Sequence, residues 1–104
     1  MLDLKAKGRD VGDLLRRNRE EILLIAEKHG ARNVRVFGSV VHGRATDRSD
    51  IDLLVDTAER TSPWFPVGFA EELEGLLGRP VDVITEGGLY WLLRRRILKE
   101  ARPL

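Results

Sequence analysis

Apolar residues recur every three or four positions between residues 11 and 29, with charged residues between them. Positions at this spacing lie on one side of a helix, so the pattern predicts an amphipathic helix that ends at Gly30. Asn18 is followed three positions later by Glu21, which makes the two a candidate capping pair. The segment is therefore either one helix or two helices that are broken near Arg17.

Three later runs have the composition of short buried strands, because they are rich in valine, isoleucine, leucine and phenylalanine. They span residues 34–37, 51–55 and 81–85, and the first of them ends at Gly38. After this glycine, a brief helix is expected from Val40.

Helical spacing returns twice in the second half of the chain. Two close prolines make residues 61–66 a loop, and residues 67–77 and 89–101 predict two further helices. Strands that alternate with helices in this way predict an α/β (α+β) fold. The expected architecture is a small mixed sheet of three strands or slightly more, flanked by helices.

The size of the chain suits a single domain. Its 104 residues are 42% hydrophobic and 34% charged, as in an ordinary globular protein. The expected domain spans residues 1–104, with a helical region at 1–30, a central region at 31–86 and a C-terminal helix at 89–101.

Charge and cysteine content exclude several classes of site. The 18 basic and 17 acidic residues give a net charge of +1, so direct nucleic-acid binding and membrane binding are not expected. The absence of cysteine excludes disulfides and thiolate metal sites. The apolar runs are too short to span a bilayer, and a cytoplasmic location is expected.

Asp50 and Asp52 stand one residue apart where the second predicted strand begins. Alternate side chains of a strand point to the same face, with Cα atoms roughly 6.5 to 7 Å apart, so two carboxylates could converge on one cation. Hard oxygen ligands of this kind suit Mg²⁺ or Mn²⁺. The simpler interpretation is a pair of solvated acidic residues at a strand entrance.

Asp82 lies within the third predicted strand, between apolar neighbours. A carboxylate there needs a hydrogen bond, a cation or a metal, because burial of an unpaired charge is costly. If the third strand lies beside the second, Asp82 completes a cluster of three carboxylates, which repel one another unless cations lie between them. The alternatives are an ion pair with Arg35 or Arg79, or an exposed edge position.

Gly38 and Ser39 close the first predicted strand. A glycine lets the backbone approach a bulky anion, and a serine hydroxyl with the N–H groups that follow it can hold the terminal phosphates of a nucleotide. His42 stands beside this turn and could donate to a phosphate, or could equally be a capping or solvated histidine. Gly-Ser pairs are also common in ordinary turns.

The joint pattern is more specific than its parts. Gly38-Ser39, ten further residues, Asp50-Ile51-Asp52 and the later Asp82 resemble the nucleotidyltransferase superfamily of DNA polymerase beta. Most of the chain, roughly residues 19–101, resembles the minimal nucleotidyltransferases within that superfamily. Two segments, 27–39 and 77–83, look typical of this family.

The resemblance implies a nucleotidyltransferase fold in which the acidic cluster holds Mg²⁺ or Mn²⁺ and is catalytic, and in which the Gly-Ser turn binds ATP. The catalytic and metal-binding residues are then Asp50, Asp52 and Asp82, and the nucleotide-binding residues are Gly38, Ser39 and His42. The family often has arginine at the position of His42. Arg44, two positions further on, is a candidate substitute for it.

Two metal ions about 3.5 to 4 Å apart can activate an attacking hydroxyl and neutralise leaving pyrophosphate. In such a site Asp50 and Asp52 bridge the ions. Asp82 contacts the ion nearest the acceptor and helps to remove its proton, and Ser39 positions the β and γ phosphates.

By the same resemblance, the protein transfers AMP from ATP to a hydroxyl acceptor and releases pyrophosphate. Many members of the family are antitoxins that add AMP to a tyrosine of a HEPN-domain ribonuclease toxin encoded nearby, so a toxin partner and a hetero-oligomer are expected. One alternative is an antitoxin that neutralises its partner by contact alone. Another is nucleotidyl transfer to a small molecule or to RNA.

The basic run Arg94-Arg95-Arg96 lies in the last predicted helix. Consecutive helical residues point in different directions, so a solvated helix face is the favoured interpretation of this run. Tyr90 and Trp91 beside it add weight to a protein-contact surface, since aromatic residues and arginine are enriched at interface cores.

Overall fold

The helices and strands of the structure match most of the segments that the periodicity predicts. The computed structural model describes residues 9–42, 50–89 and 91–104, with the backbone alone for residues 9 and 10. The helices are α1 (Arg9–Arg17), α2 (Arg19–His29), α3 (Val67–Leu77) and α4 (Trp91–Glu100). The strands are β1 (Ala31–Phe37), β2 (Ile51–Thr57), β3 (Val81–Thr85) and β4 (Arg102–Pro103), and a 3₁₀ turn (Glu86–Gly88) follows β3.

Asn18 separates the two N-terminal helices. Its backbone N–H and its side-chain amide both donate to the carbonyl oxygen of Leu14, at 3.2 and 2.8 Å. The side chain therefore satisfies an acceptor at the end of α1 and makes no cap hydrogen bond for α2, so the predicted capping pair with Glu21 is wrong. The break near Arg17 is confirmed, as is the end of α2 at Gly30, where φ is 82°.

The strands lie side by side in the order β3-β2-β1-β4. Strand β1 is antiparallel to both of its neighbours, β2 and β4, whereas β2 and β3 are parallel. Parallel neighbours need a crossover connection, and the segment that contains α3 supplies it. The predicted mixed sheet is confirmed, and it has four strands within the described parts of the chain.

Strand β4 has no counterpart in the sequence pattern. Arg102 and Pro103 are exposed, and they pair with Val36 and Arg35 at the edge of β1 that β2 leaves free. Leu104 then donates its backbone N–H to the carbonyl oxygen of Val34 at 3.1 Å, and its side chain is buried. These backbone hydrogen bonds form because the chain returns to β1 after α4. A local pattern of side chains does not predict such a return.

One face of the sheet packs on helices, and the other carries the acidic residues. Buried side chains from β1 and β2 on the first face join buried side chains of α2 and α3 in one cluster: Val36, Ile51, Leu53 and Val55 with Ile22, Ala26, Phe69 and Leu73. Because side chains alternate along a strand, Asp52 and Leu54 of β2 point to the second face. The candidate site therefore lies opposite the core.

The chain that follows β1 differs from its prediction. In place of a brief helix from Val40, residues 38–42 form a turn in which the N–H of His42 donates to the carbonyl oxygen of Gly38 at 3.2 Å. Any continuation of this turn, with Arg44, lies outside the described residues.

The last predicted helix is present as α4, and no side chain of α4 is buried. Tyr90, just before it, lies outside the described residues. No helix in the described part of the chain has the length and apolar character needed to cross a membrane. The cytoplasmic location and the single domain over residues 1–104 stay predictions.

Leu73→Ala is expected to lower the free energy of unfolding by about 2 to 5 kcal/mol, because it leaves a cavity in the core between α3 and the sheet. Leu24→Ala is the matched control, since Leu24 is a helical leucine that is 60% exposed. Its expected change is about 0.5 kcal/mol or less. Urea denaturation followed by circular dichroism measures both changes, and equal losses would contradict this description of the core.

Candidate active site

Three carboxylates lie where the two parallel strands begin. Asp50 directly precedes β2, Asp52 is the second residue of β2, and Asp82 is the second residue of β3. The strand register places Asp52 beside Asp82. Because Ile51 and Val81 are both buried on the core side, alternation turns Asp52 and Asp82 to the open face together.

The surroundings of Asp52 disfavour its negative charge. Burial, followed by the negative charges of Asp82 and Asp50, raises the pKa of Asp52 from 3.8 to about 6. Asp50 and Asp82 are themselves exposed. The three carboxylates therefore repel one another across a short space, and a cation between them would relieve the repulsion.

The chemistry of this donor set fits a divalent cation. Carboxylate oxygens are the ligands that Mg²⁺ and Mn²⁺ prefer, and a divalent cation would neutralise the negative charges that lie close together here. Within residues 9–42, 50–89 and 91–104, no three Asp, Glu or His side chains already stand as a ready-made ligand set. Asp50, Asp52 and Asp82 are the residues that would hold such an ion.

Gly38 joins the end of β1 to these carboxylates. Its φ of 76° lies in the left-handed region, which favours glycine. A Cβ atom at this position would also overlap Oδ2 of Asp52. Glycine is thus favoured here by the direction of the backbone, and any larger residue would displace the carboxylate of Asp52.

A cavity of about 340 Å³ lies between this turn and α4. Gly38, Ser39 and His42 line it on one side, so the structure brings the three predicted nucleotide-binding residues together. Nε2 of His42 lies 3.1 Å from Oε2 of Glu100. His42 is therefore held by a carboxylate of α4, and it is neither a helix cap nor simply solvated.

Arg35 was one of the alternative partners of Asp82, and the structure pairs it with other acids. Its guanidinium lies 2.7 Å from Asp56 and 3.6 Å from Glu86. Asn33 also donates to Asp56, at 3.1 Å. Arg35 thus belongs to a separate ion-pair group on the open face of the sheet.

The sequence patterns did not identify two residues of the cavity wall. Arg96 and Glu100 of α4 line the cavity beside Ser39 and His42. In the sequence, Arg96 stood out only as part of the basic run Arg94-Arg95-Arg96, and the helical spacing favoured a solvated helix face for that run. Glu100 gave no signal at all, because its contact with His42 joins positions 58 residues apart.

A family model described as a nucleotidyltransferase domain matches residues 19–104. The chain belongs to the nucleotidyltransferase domain family. The resemblance carried by the Gly-Ser pair and the three aspartates is therefore confirmed, and the protein is an enzyme of the nucleotidyltransferase class. This match includes every candidate site residue, from Gly38 to Glu100.

Curated relatives of this nucleotidyltransferase carry more specific names. A protein of Methanocaldococcus jannaschii, provisionally named protein adenylyltransferase MJ0435, is 40% identical over 83 residues, which cover 80% of this chain and 89% of the relative. The protein adenylyltransferase MntA of Thermococcus cleftensis is 38% identical over 76 residues, covering 73% and 77% of the two chains.

Solved structures share the fold of this nucleotidyltransferase. One, described provisionally as a minimal nucleotidyltransferase, has a TM-score of 0.78 and 46% identity and covers 88% of this chain and 94% of its own. Another, a crystal structure of a toxin-antitoxin with AMP-PNP, has a TM-score of 0.70 at 20% identity and covers 83% of this chain and 71% of its own. The predicted fold class is confirmed.

Without metal, the protein is expected to gain stability at neutral pH when Asp52 is replaced by asparagine. The raised pKa of Asp52 means that the folded state binds the proton more tightly, so stability is lost as the pH rises from 3.8 to about 6. In EDTA at about pH 8, Asp52→Asn should raise the free energy of unfolding by about 1 kcal/mol, after allowance for solvent screening. The gain should vanish below pH 3.8, where the acid is protonated in both states.

Asp56→Asn, in the same strand, is the matched control. The hydrogen bond from Asn33, then a hydrogen bond with Glu86, and then the charge and hydrogen bond of Arg35 hold the pKa of Asp56 below its usual range, and together they outweigh the effect of burial. A lowered pKa stabilises the fold above the unfolded pKa, so this variant should be less stable at about pH 8. Thermal unfolding followed by circular dichroism measures both variants, and shifts of the same sign would contradict the electrostatics described here.

Gly38→Ala is expected to leave the chain folded and to abolish ligand-induced stabilisation, because the added methyl group displaces Asp52 and strains the turn. Gly75→Ala on α3 is the matched control, since a Cβ atom there meets nothing within 4 Å. The measurement is the rise in unfolding temperature on addition of Mg²⁺ with AMP-PNP. A rise in Gly38→Ala that matches the rise in Gly75→Ala would contradict the role given to Gly38.

Proposed function

We propose that this nucleotidyltransferase transfers AMP from ATP to a hydroxyl group of a partner protein and thereby acts as the antitoxin of a toxin-antitoxin pair. The observation that carries the proposal is the register of β2 and β3, which sets Asp52 beside Asp82 on the open face, next to the turn at Gly38. This arrangement offers carboxylates for metal ions and a backbone turn for phosphates side by side. The relatives named as protein adenylyltransferases support the choice of AMP and of a protein acceptor.

Asp50, Asp52 and Asp82 hold the divalent cation in this proposal, and Mg²⁺ is the first choice, with Mn²⁺ as the alternative. When bound, such an ion lowers the pKa of the attacking hydroxyl and neutralises the leaving pyrophosphate.

The chain's own groups position ATP and accept the proton. The hydroxyl oxygen of the acceptor attacks the α-phosphorus, a new P–O bond forms, and the bond from this phosphorus to the bridging oxygen of pyrophosphate breaks. Asp82 is exposed, so in this proposal it takes the proton from the attacking hydroxyl or passes it to water. Ser39 and the N–H groups of its turn hold the phosphates that leave.

The partner proposed for this reaction is a HEPN-domain ribonuclease toxin, and the acceptor is one of its tyrosines. The family resemblance supports this choice, as does the toxin-antitoxin source of one structure that shares the fold. The exposed side of α4 supports a partner in general, because Trp91 is 73% and Leu92 59% exposed beside the site. A hetero-oligomer of the two proteins follows.

The same exposed side of α4 favours one rival function, in which the chain neutralises its partner by contact alone. Transfer of AMP and neutralisation by contact differ in whether they need the carboxylates. Contact needs the surface of α4 and no metal site, whereas transfer needs Asp50 and Asp82 as well.

Incubation of the co-purified partner with α-labelled ATP and Mg²⁺ tests the proposal. We expect label on the partner, and a decrease of at least about a hundredfold for Asp50→Asn and for Asp82→Asn, since each removes a carboxylate of the reacting centre. Asp56→Asn is the control that keeps the metal-binding set and should still transfer label. Full neutralisation of the partner by Asp50→Asn, with no label transferred by the unaltered protein, would establish the contact function instead.

A further inference from the structure

Glu100, the last residue of α4, lies between two hydrogen-bond donors of the candidate nucleotide cavity. Its Oε2 is 3.1 Å from Nε2 of His42, and its Oε1 accepts a hydrogen bond from Nε of Arg96 at 3.2 Å. All three side chains line the cavity that also contains Gly38 and Ser39. One carboxylate thus occupies the place where an anion would meet His42 and Arg96.

Helix stability does not explain the position of Glu100. The C-terminal end of a helix carries partial negative charge, which disfavours a carboxylate there. The order Arg96 then Glu100, four positions apart, is also the weaker of the two orders for a helical ion pair. The pKa of Glu100 is nevertheless held below its usual range, first by the hydrogen bond with His42 and then by Arg96. The two donors therefore position this carboxylate against the preference of the helix.

Another anion can easily replace Glu100 as the hydrogen-bond partner of Arg96. The side chain of Arg96 is 72% exposed, and exposed ion pairs contribute little to stability. Arg96 donates through Nε, and its two terminal nitrogens have no hydrogen-bond partner within the described parts of the chain. Phosphate oxygens match the planar guanidinium and accept two parallel bonds from it. A phosphate group would therefore make more bonds to Arg96 than Glu100 makes.

We propose that Arg96 binds the polyphosphate end of the nucleotide together with Ser39 and His42, and that Glu100 holds the two donors in place until a phosphate replaces its carboxylate. The identity of the nucleotide in this inference rests on the proposed function. The size of the cavity, about 340 Å³, lies within the range of small-molecule sites. Gly38 connects this phosphate subsite to Asp52, so the polyphosphate and the carboxylates belong to one continuous site.

Isothermal titration of the protein with AMP-PNP and with AMP, both with Mg²⁺, tests the role of Arg96. Arg96→Ala should weaken AMP-PNP binding by about tenfold or more, because it removes charge-assisted hydrogen bonds to phosphate. Binding of AMP should change by less than about twofold, since AMP lacks the phosphates that reach Arg96. Arg96→Lys keeps the charge and should recover part of the affinity.

Arg95→Ala is the matched control for Arg96→Ala. Arg95 is its exposed neighbour on α4 and lies outside the cavity wall, so its removal should leave the affinities for AMP-PNP and AMP unchanged. Equal AMP-PNP affinities for the two variants would overturn the proposal. Equal losses of AMP and AMP-PNP binding in Arg96→Ala would overturn it as well, because they would indicate a general disturbance of the site.

Glu100→Gln tests whether a phosphate replaces the carboxylate of Glu100. Loss of the competing charge should strengthen AMP-PNP binding by about threefold and leave AMP binding unchanged, whereas Glu71→Gln on the exposed side of α3 should alter neither. Unchanged or weaker AMP-PNP binding by Glu100→Gln would overturn the role of Glu100.

The inference and the proposed function can fail separately. If AMP-PNP binds with the expected dependence on Arg96 and no label reaches the partner, the transfer function fails and the phosphate subsite stands. If the unaltered protein binds no AMP-PNP, both are overturned.

Discussion

The parallel pairing of β2 with β3 is the constraint on which the site depends. In this register Asp52 lies beside Asp82, and Leu53 lies beside Val83. A slip of one residue in β2 would turn Asp52 towards the helices and Leu53 towards the open face, because side chains alternate along a strand. Burial of Leu53 against α2 and α3 prevents this slip. The hydrophobic core on one face of the sheet thus sets the positions of the carboxylates on the other face, and the repulsion between them remains in the metal-free protein.

Three features around this site run against the rules that govern stability elsewhere in the chain. Asp52 carries a pKa raised to about 6, Gly38 has a left-handed backbone, and Glu100 stands at the disfavoured end of a helix. Each feature is local and has a different physical origin. Their common location, between the start of β2 and the end of α4, is a reason to expect function there that is independent of any relative.

The two walls of the site differ in how firmly they are held. The sheet wall is anchored by the buried core, whereas no side chain of α4 is buried. Polar contacts hold α4 instead, from Arg94 to Glu86 at 2.9 Å and from Glu100 to His42 at 3.1 Å. The helix proposed to contact the polyphosphate is also the one with exposed Trp91, so the proposed nucleotide contact and the proposed partner surface lie on one weakly packed element.

Periodicity alone determined the principal helices and three strands, because these depend on which side chains avoid water within short stretches. Motif spacing singled out the three aspartates, and the pairing of β2 with β3 in the folded chain placed Asp82 beside Asp52. The same patterns placed Gly38 and Ser39 correctly at the end of the first strand. They failed for the role of Asn18 and for β4, and they gave no sign of Arg96 and Glu100 as a wall of the cavity. Only the tertiary structure decided these features, since the hydrogen-bond partner of a polar group depends on which distant segment the folded chain places beside it. The contact of His42 with Glu100, 58 positions apart, is the clearest case.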